Sequence, residues 1–311
     1  MPSYTGFEGI DGVRDRFLIV GDTQSTSRWE FWRERNGRER QALLGEMLRR
    51  DPAFVLHLGD LTTRGSSSRH WRAFDELHAP FRERKIPYFP ILGNHEFYGN
   101  DRVALRHFFD RFPHLGEKRW YSFSWRRIGF ILLDSNFELL SVTEMAALRS
   151  WYKEELERHE GDSGTDFVIV CCHKPPYTNS RVVFSSKHSR SFFAEPFLRF
   201  RKTAFFFSGH SHTYERFPVL GKHFVVSGGG GGPRHRVRTH PGRRRFEDVF
   251  PGPALRFFHA CEITRSAGGL EFRVVRVDPC GTVSLLDPLN LSPGALDGVA
   301  AARSGEAGAG A

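Results

Sequence analysis

Residues 54–65 read FVLHLGDLTTRG. Phe54, Val55, Leu56 and Leu58 form an apolar run of strand length, and Gly59 ends it. Asp60 follows at once, so a carboxylate stands where a buried strand opens into a loop. In an open sheet that contains parallel strands, ligands gather just beyond the carboxyl ends of those strands. One Gly-Asp pair proves little, since Asp commonly caps the next turn. The test is whether other strands end in ligand-type residues.

Four more do. Phe17 to Val20 is a short apolar strand that runs into Gly21-Asp22-Thr23-Gln24. Ile86 to Leu92, short or at a sheet edge because of Pro87 and Pro90, ends in Gly93-Asn94-His95-Glu96. Phe167 to Cys172 ends at His173, and Thr203 to Phe207 ends in Ser208-Gly209-His210-Ser211-His212. In an extended segment His210 and His212 project to the same side. Carboxylate, amide oxygen and imidazole without thiolate suit manganese, iron or zinc. Two such cations sharing a carboxylate sit ~3.5–4 Å apart, which clamps both oxygens of an in-line phosphoryl displacement. Chance would supply one or two of these strand ends, and rarely all five. His57, inside the strand before Asp60, is read as packed or hydrogen-bonded. His188, His235 and His240 fall in polar loops and are expected to be solvated.

Between these strands, helices are expected over Arg40–Arg50, Ser68–Lys85 and Thr143–His159, the last capped by Thr143. Trp71, Phe74, Leu77 and Phe81 have helical spacing and read as core. An amphipathic segment covers 101–113, a hairpin joins Trp120–Trp125 to Ile128–Leu133, and a strand is expected over His223–Val226. Two or three strands between Leu255 and Leu286 close the fold.

The chain has 311 residues, enough for a large core, and 45 Lys plus Arg against 36 Asp plus Glu give a net charge of +9. That balance favours anionic partners, phosphate esters as much as nucleic acid. The four cysteines, Cys171, Cys172, Cys261 and Cys280, form no Cys-x-x-Cys pair, which argues against a disulfide framework or thiolate zinc site. The N-terminal segment lacks a secretory pattern and no apolar run is long enough to cross a membrane, so a cytoplasmic protein without membrane partners is expected. Nothing in the sequence sets the oligomeric state.

GDTQ, GDLTTRG, GNHE, the His of CCHKPPY, and GHSHTYER occur in the order of the five blocks of calcineurin-like metallophosphoesterases, which the chain resembles over roughly residues 15 to 290. The last two blocks look most like those of purple acid phosphatases. The resemblance implies an α+β (α/β-type) fold, a four-layer αββα sandwich of two mixed β-sheets with a dinuclear site at the loop ends. Residues 1–14 would be a lead-in, 15–290 the catalytic domain, and 291–311 a disordered Gly/Ala-rich tail. Carried over block by block, Asp22 and His212 would hold the first metal and Asn94, His173 and His210 the second, with Asp60 bridging. His95 matches the histidine that contacts phosphate and protonates the leaving group. Arg64 matches an arginine that grips phosphate oxygens bidentately.

Two departures stand out. Purple acid phosphatases carry a tyrosine three residues after the bridging Asp, and here that position is Thr63, so the purple colour and a need for ferric iron should be absent. Where many members have His two residues after the first Asp, this chain has Gln24, whose amide oxygen or a water takes the place. The parts imply two divalent metal ions (manganese, iron or zinc) and a phosphate-ester substrate attacked by a metal-activated hydroxide, with a phosphomonoesterase favoured. A phosphodiesterase or nuclease is the alternative, since residues 233–245 (PRHRVRTHPGRRR) hold six arginines. Charge runs are usually solvated, so this segment is expected to be a mobile loop rather than a lid over a nucleic acid. A non-catalytic binding protein on the same fold is the third reading, disfavoured because the bridging Asp60, Asn94 and the three histidines His173, His210 and His212 all remain.

Overall fold

A computed structural model describes residues 2–10, 12–26, 30–278 and 280–293. Strands β1 (Arg16–Val20), β2 (Val55–His57) and β3 (Tyr88–Pro90) lie side by side in parallel. Strands β4 (Tyr121–Trp125), β5 (Ile128–Leu133), β6 (Phe167–Cys172), β7 (Thr203–Ser208), β8 (Tyr214–Val219) and β9 (Lys222–Ser227) build a second sheet in the order β4-β5-β6-β7-β9-β8. Strands β10 (Phe258–Ser266), β11 (Gly269–Val277) and β12 (Val283–Leu291) return to the first sheet, antiparallel, on the far side of β1. Both sheets are mixed, as the resemblance implies.

Strands β2, β5, β6 and β7 are buried at every position. A strand covered on both faces needs no polar alternation, which is why these segments read as unbroken apolar runs. Between the sheets, Phe17, Phe54 and Phe89 meet Phe123, Trp125 and Phe130 in offset and edge-on contacts of 4.4–5.8 Å between ring centres. Helices form the outer layers. On one side α1 (Gly37–Arg49) buries Leu43, Leu44 and Met47, and α2 (Ser68–Leu77) buries Trp71 and Phe74. These are followed by α3 (Ala79–Glu83) and α4 (Asp101–Phe109). On the other side α5 (Val142–Gly161) packs Leu148, Tyr152 and Leu156 against Ile131, Val168 and Val170.

The structure corrects several expectations. The single helix over Ser68–Lys85 breaks at His78, and Pro80 starts a new turn because its ring cannot continue the old one. The cap of α5 is Ser141, not Thr143: its hydroxyl accepts from the Glu144 N–H while the Glu144 carboxylate accepts from the Ser141 N–H. Strand β8 was not anticipated. Arg234 pairs with Glu34, Arg238 donates to the Ser180 carbonyl, and isolated bridges tie Val237 to Ser180 and Arg236 to Leu255. The arginine-rich segment is therefore fastened down rather than solvated throughout. The tail beyond residue 293 lies outside the described residues. No helix among the described residues is long and apolar enough to cross a membrane.

Candidate metal centre

The carboxyl ends of β1, β2, β3, β6 and β7 open on one edge of the sandwich, and each carries a residue singled out by its sequence. Asp22, Asp60 and His210 all have left-handed backbone, with φ of +62°, +56° and +65°. That region is uncommon for residues with a Cβ, and its occurrence at three strand ends aims three side chains at one point. Glycines make room around them. A Cβ on Gly93 would stand 2.2 Å from Asp60 Oδ1, and one on Gly209 would stand 2.6 Å from Asp22 Oδ2. The loops are stitched together by their backbones: Asp22 N–H donates to the Gly59 carbonyl and Gln24 N–H to the Asp60 carbonyl.

Ligand atoms of Asp60, His173 and His210 all lie within 4.8 Å of one another, and so do those of Asp22, Asp60 and His212. Asp60 is common to both groups. His173 Nδ1 is 2.7 Å from the Leu58 carbonyl, so that nitrogen carries the hydrogen and Nε2 turns its lone pair inward. His173 Nε2 then faces Asp60 Oδ1 at 3.4 Å and Asn94 Oδ1 at 3.1 Å. His212 repeats the arrangement: Nδ1 is 2.7 Å from the Pro233 carbonyl, and Nε2 faces Asp22 Oδ1 at 3.4 Å. Asn94 is oriented by Tyr98, whose hydroxyl accepts from Nδ2 at 2.9 Å.

Acceptors thus face acceptors in two adjoining clusters. Such an arrangement is stable only with a cation between the lone pairs, a proton or a metal. The all-nitrogen and oxygen donor set suits a hard or borderline divalent ion. Gln24 gives an independent indication. It is buried, its Nε2 lies 3.3 Å from Asp60 Oδ2 and 3.2 Å from His212 Nε2, and its Oε1 has no hydrogen-bond partner among the described residues. Turning the amide over would put the orphaned oxygen among those acceptors, as a metal would require. The residues fit a metal pair.

Electrostatics follow from the same packing. Burial raises the Asp22 carboxyl although His212 and His173 oppose it. Burial also acts to raise Asp60, but His173, His95 and His210 outweigh it and hold its carboxyl well below the usual range. Burial lowers His173, and the Asp60 carboxylate more than offsets this, bringing it up to about 9. His210 is pushed down to about 3 by burial and by His173.

His95 stands beside the centre. Its backbone N–H donates to Asp60 Oδ1 at 3.0 Å, and Nδ1 lies 2.8 Å from the Thr63 carbonyl, which leaves Nε2 facing the site 3.8 Å from Asp60 Oδ2. Arg64 is exposed and lines the same open cleft as His95 and His212, but does not reach the clustered acceptors. Thr63, in the tyrosine's place, donates its hydroxyl to the Ser25 carbonyl at 2.7 Å. His57 is buried and bonded to Thr23 at 2.9 Å, as expected.

Two supporting residues were missed. Glu96 is fully buried and accepts four backbone N–H groups: those of Asp60 and Gly93 at Oε2 and those of Leu61 and Thr62 at Oε1, at 2.7–3.2 Å. It ties the Asp60 loop to the Asn94 loop. Burial and the Asp60 charge push it up to about 8. His235, expected to be solvated, is buried and stacked on His212 with ring centres 4.3 Å apart, and accepts the His212 N–H. His188 and His240 are exposed as expected. Glu96 serves backbone N–H groups alone, which leave no mark in the sequence. Nothing local marked His235.

The sequence profile of the calcineurin-like phosphoesterases matches residues 15–214. Purple acid phosphatase 1 of sweet potato (Ipomoea batatas) is 28% identical over 179 residues, covering 52% of this chain and 36% of that protein. A protein of Arabidopsis thaliana named "Probable inactive purple acid phosphatase 9" is 26% identical over 255 residues, covering 68% of this chain and 38% of its own length. The chain therefore spans little more than a third of either relative. A purple acid phosphatase from yellow lupin (Lupinus luteus) seeds shares the fold, with a TM-score of 0.71 and 20% identity over 89% of this chain and 53% of that one.

Proposed function

The chain belongs to the calcineurin-like phosphoesterase family, and from that premise we propose that it is a dinuclear metal-dependent phosphomonoesterase. The observation that carries the reading is the pair of acceptor clusters that share Asp60 beside His95 in an open cleft. Asp22, His212 and Gln24 would hold one divalent cation, manganese, iron or zinc, and Asn94, His173 and His210 the other, with Asp60 between them. When bound, the two cations supply an activated water-derived nucleophile at neutral pH and neutralise phosphate charge.

The protein's own groups do the rest. Arg64 takes phosphate oxygens by its planar fork, and Asn94, turned inward by Tyr98, borders the same oxygens. His95 gives the proton on Nε2 to the departing ester oxygen, its ring held by the Thr63 carbonyl. The oxygen of water ends on phosphorus, the ester P–O bond breaks, and the alcohol leaves with the histidine's proton. Free buried thiols at Cys171, Cys172 and Cys261 support a reducing, cytoplasmic setting.

A phosphodiester reading has one observation in its favour. A second cleft of ≈ 340 Å³ opens beside His210, lined by Lys174 and Phe184, and offers room for a second substituent on phosphorus. Turnover of an aryl phosphate against its bis-aryl diester separates the two readings. Asp60→Asn is the deciding variant for both: metal analysis should show lost stoichiometry together with lost turnover. Wild-type metal content with wild-type rate in that variant would sink the assignment, and a metal-loaded wild type inert on both esters would leave a binding protein.

A further inference from the structure

The cleft beside the centre encloses about 1150 Å³, far more than one phosphate needs. One wall is helix α2, where Arg69 and Arg72 are one turn apart and line the cleft together with Arg64 from the loop before it. The buried arginines of the core are matched to carboxylates, as in Arg111–Asp75 and Arg256–Asp248. Arg69 and Arg72 make no ion pair or side-chain hydrogen bond among the described residues, and Arg64 reaches only the Ser66 hydroxyl at 3.4 Å. Of the two carboxylates lining the cleft, Glu30 is taken by Arg33 at 2.7 Å, which leaves Glu76 at the end of α2. Partial burial and the charges of Arg69 and Arg64 hold His70 between them below its ordinary pKa, so it adds little positive charge of its own.

Three guanidinium groups against the single unpaired carboxylate of Glu76 leave this wall net positive, and an anion from outside relieves the repulsion among them. A simple monoester offers its one phosphate to the metal centre, to His95 and to Arg64. Arg69 and Arg72 remain. We propose that they form a subsite for a second phosphate, so that the substrate class is a terminal phosphate, ester- or anhydride-linked, on a molecule that carries a further phosphate. Nucleoside polyphosphates and sugar bisphosphates share this chemistry. The inference rests on the phosphomonoesterase reading for its catalytic half and on the cleft alone for its binding half.

The test is the double variant Arg69→Ala with Arg72→Ala, both exposed and outside the catalytic machinery. Metal-loaded wild type and variant are compared on a nucleoside triphosphate, a hexose bisphosphate and nitrophenyl phosphate. The variant should lose roughly tenfold or more in kcat/KM, through KM, on one or both polyanions, and less than about twofold on nitrophenyl phosphate. A loss confined to the triphosphate or to the bisphosphate identifies which source the subsite reads. Unchanged kcat/KM on both polyanions, or an equal loss on nitrophenyl phosphate, overturns the proposal. Should the wild type turn over no ester, the phosphomonoesterase reading falls. Calorimetric binding of the triphosphate and of the hexose bisphosphate then decides the subsite, roughly tenfold weaker binding of either in the variant upholding it and equal binding of both refuting it.

Discussion

Glu96→Gln is the sharpest probe of how the centre is held. The wild-type carboxylate accepts two N–H groups at each oxygen, from Asp60 and Gly93 on one and from Leu61 and Thr62 on the other. A glutamine of the same shape keeps one oxygen and sets an NH₂ group against the other donor pair. Two buried N–H groups then lack acceptors, at roughly 1–3 kcal/mol each, so the variant should lose about 2–6 kcal/mol. That is a large part of an ordinary folding stability of about 5–15 kcal/mol. With a urea slope of about 3 kcal/mol per molar for a domain of this size, the midpoint should fall by roughly 0.7–2 M. The measurement belongs on metal-free protein at about pH 9, above the raised pKa of Glu96, so that the side chain is a carboxylate and ligand linkage does not enter, with metal stoichiometry determined in parallel. Because the lost bonds hold Asp60 and Gly93, the variant should also bind fewer than two cations per chain. An unchanged midpoint with full metal content would refute the anchoring role.

Further outcomes follow from single contacts. His95→Ala should keep its metals, while turnover of alkyl phosphates falls by a hundredfold or so and nitrophenyl phosphate, whose leaving group needs no proton, suffers much less; equal losses would count against proton donation. Gly93→Ala forces a Cβ to within 2.2 Å of Asp60 Oδ1, so it should lose metal and activity, and a fully loaded, active variant would show that the loop can yield. His78, inside the core against Phe74, is held down at about 3 chiefly by burial. Below pH ~6.5 the unfolded chain takes up a proton that the folded histidine refuses, so this contribution is complete above that pH and is lost progressively towards pH 3. At pH 5 the loss is about 2 kcal/mol. Urea unfolding of His78→Phe should therefore differ less between pH 7 and pH 5 than that of the wild type, and an identical pH dependence would exclude His78 as a source of acid lability.

What the sequence made legible follows from where the determining contacts lie. Strand ends were readable because burial on both faces turns a strand into an unbroken apolar run, and Gly59-Asp60 or Gly93-Asn94 then breaks it abruptly. The capping box Ser141…Glu144 is equally local: Ser141, unlike Thr143, is followed three residues on by the glutamate that completes it. Strand β8 was obscured because Tyr214–Val219 continues directly from the His210–His212 motif, contains Pro218, and is only partly buried on its outer side. The fastening of the arginine-rich segment depends on Glu34 and Ser180, and that of His235 on its stacking against His212, partners that only the tertiary fold brings near. Glu96 is the instructive case. Its neighbours were read as ligands, but its own task is to accept backbone N–H groups, and backbone has no sequence signature.

The three left-handed residues at the centre have a consequence for stability. Asp22, Asp60 and His210 each hold a Cβ where glycine would sit at ease, at a cost of roughly 1–2 kcal/mol apiece. The polypeptide would be more comfortable with its chemistry removed. Glycine at these positions relaxes the backbone as it deletes the side chain, so a lineage no longer under demand for turnover has no incentive to keep them and a downhill route to lose them. Each aspartate or histidine still present is thus held against the folding preference of its own backbone.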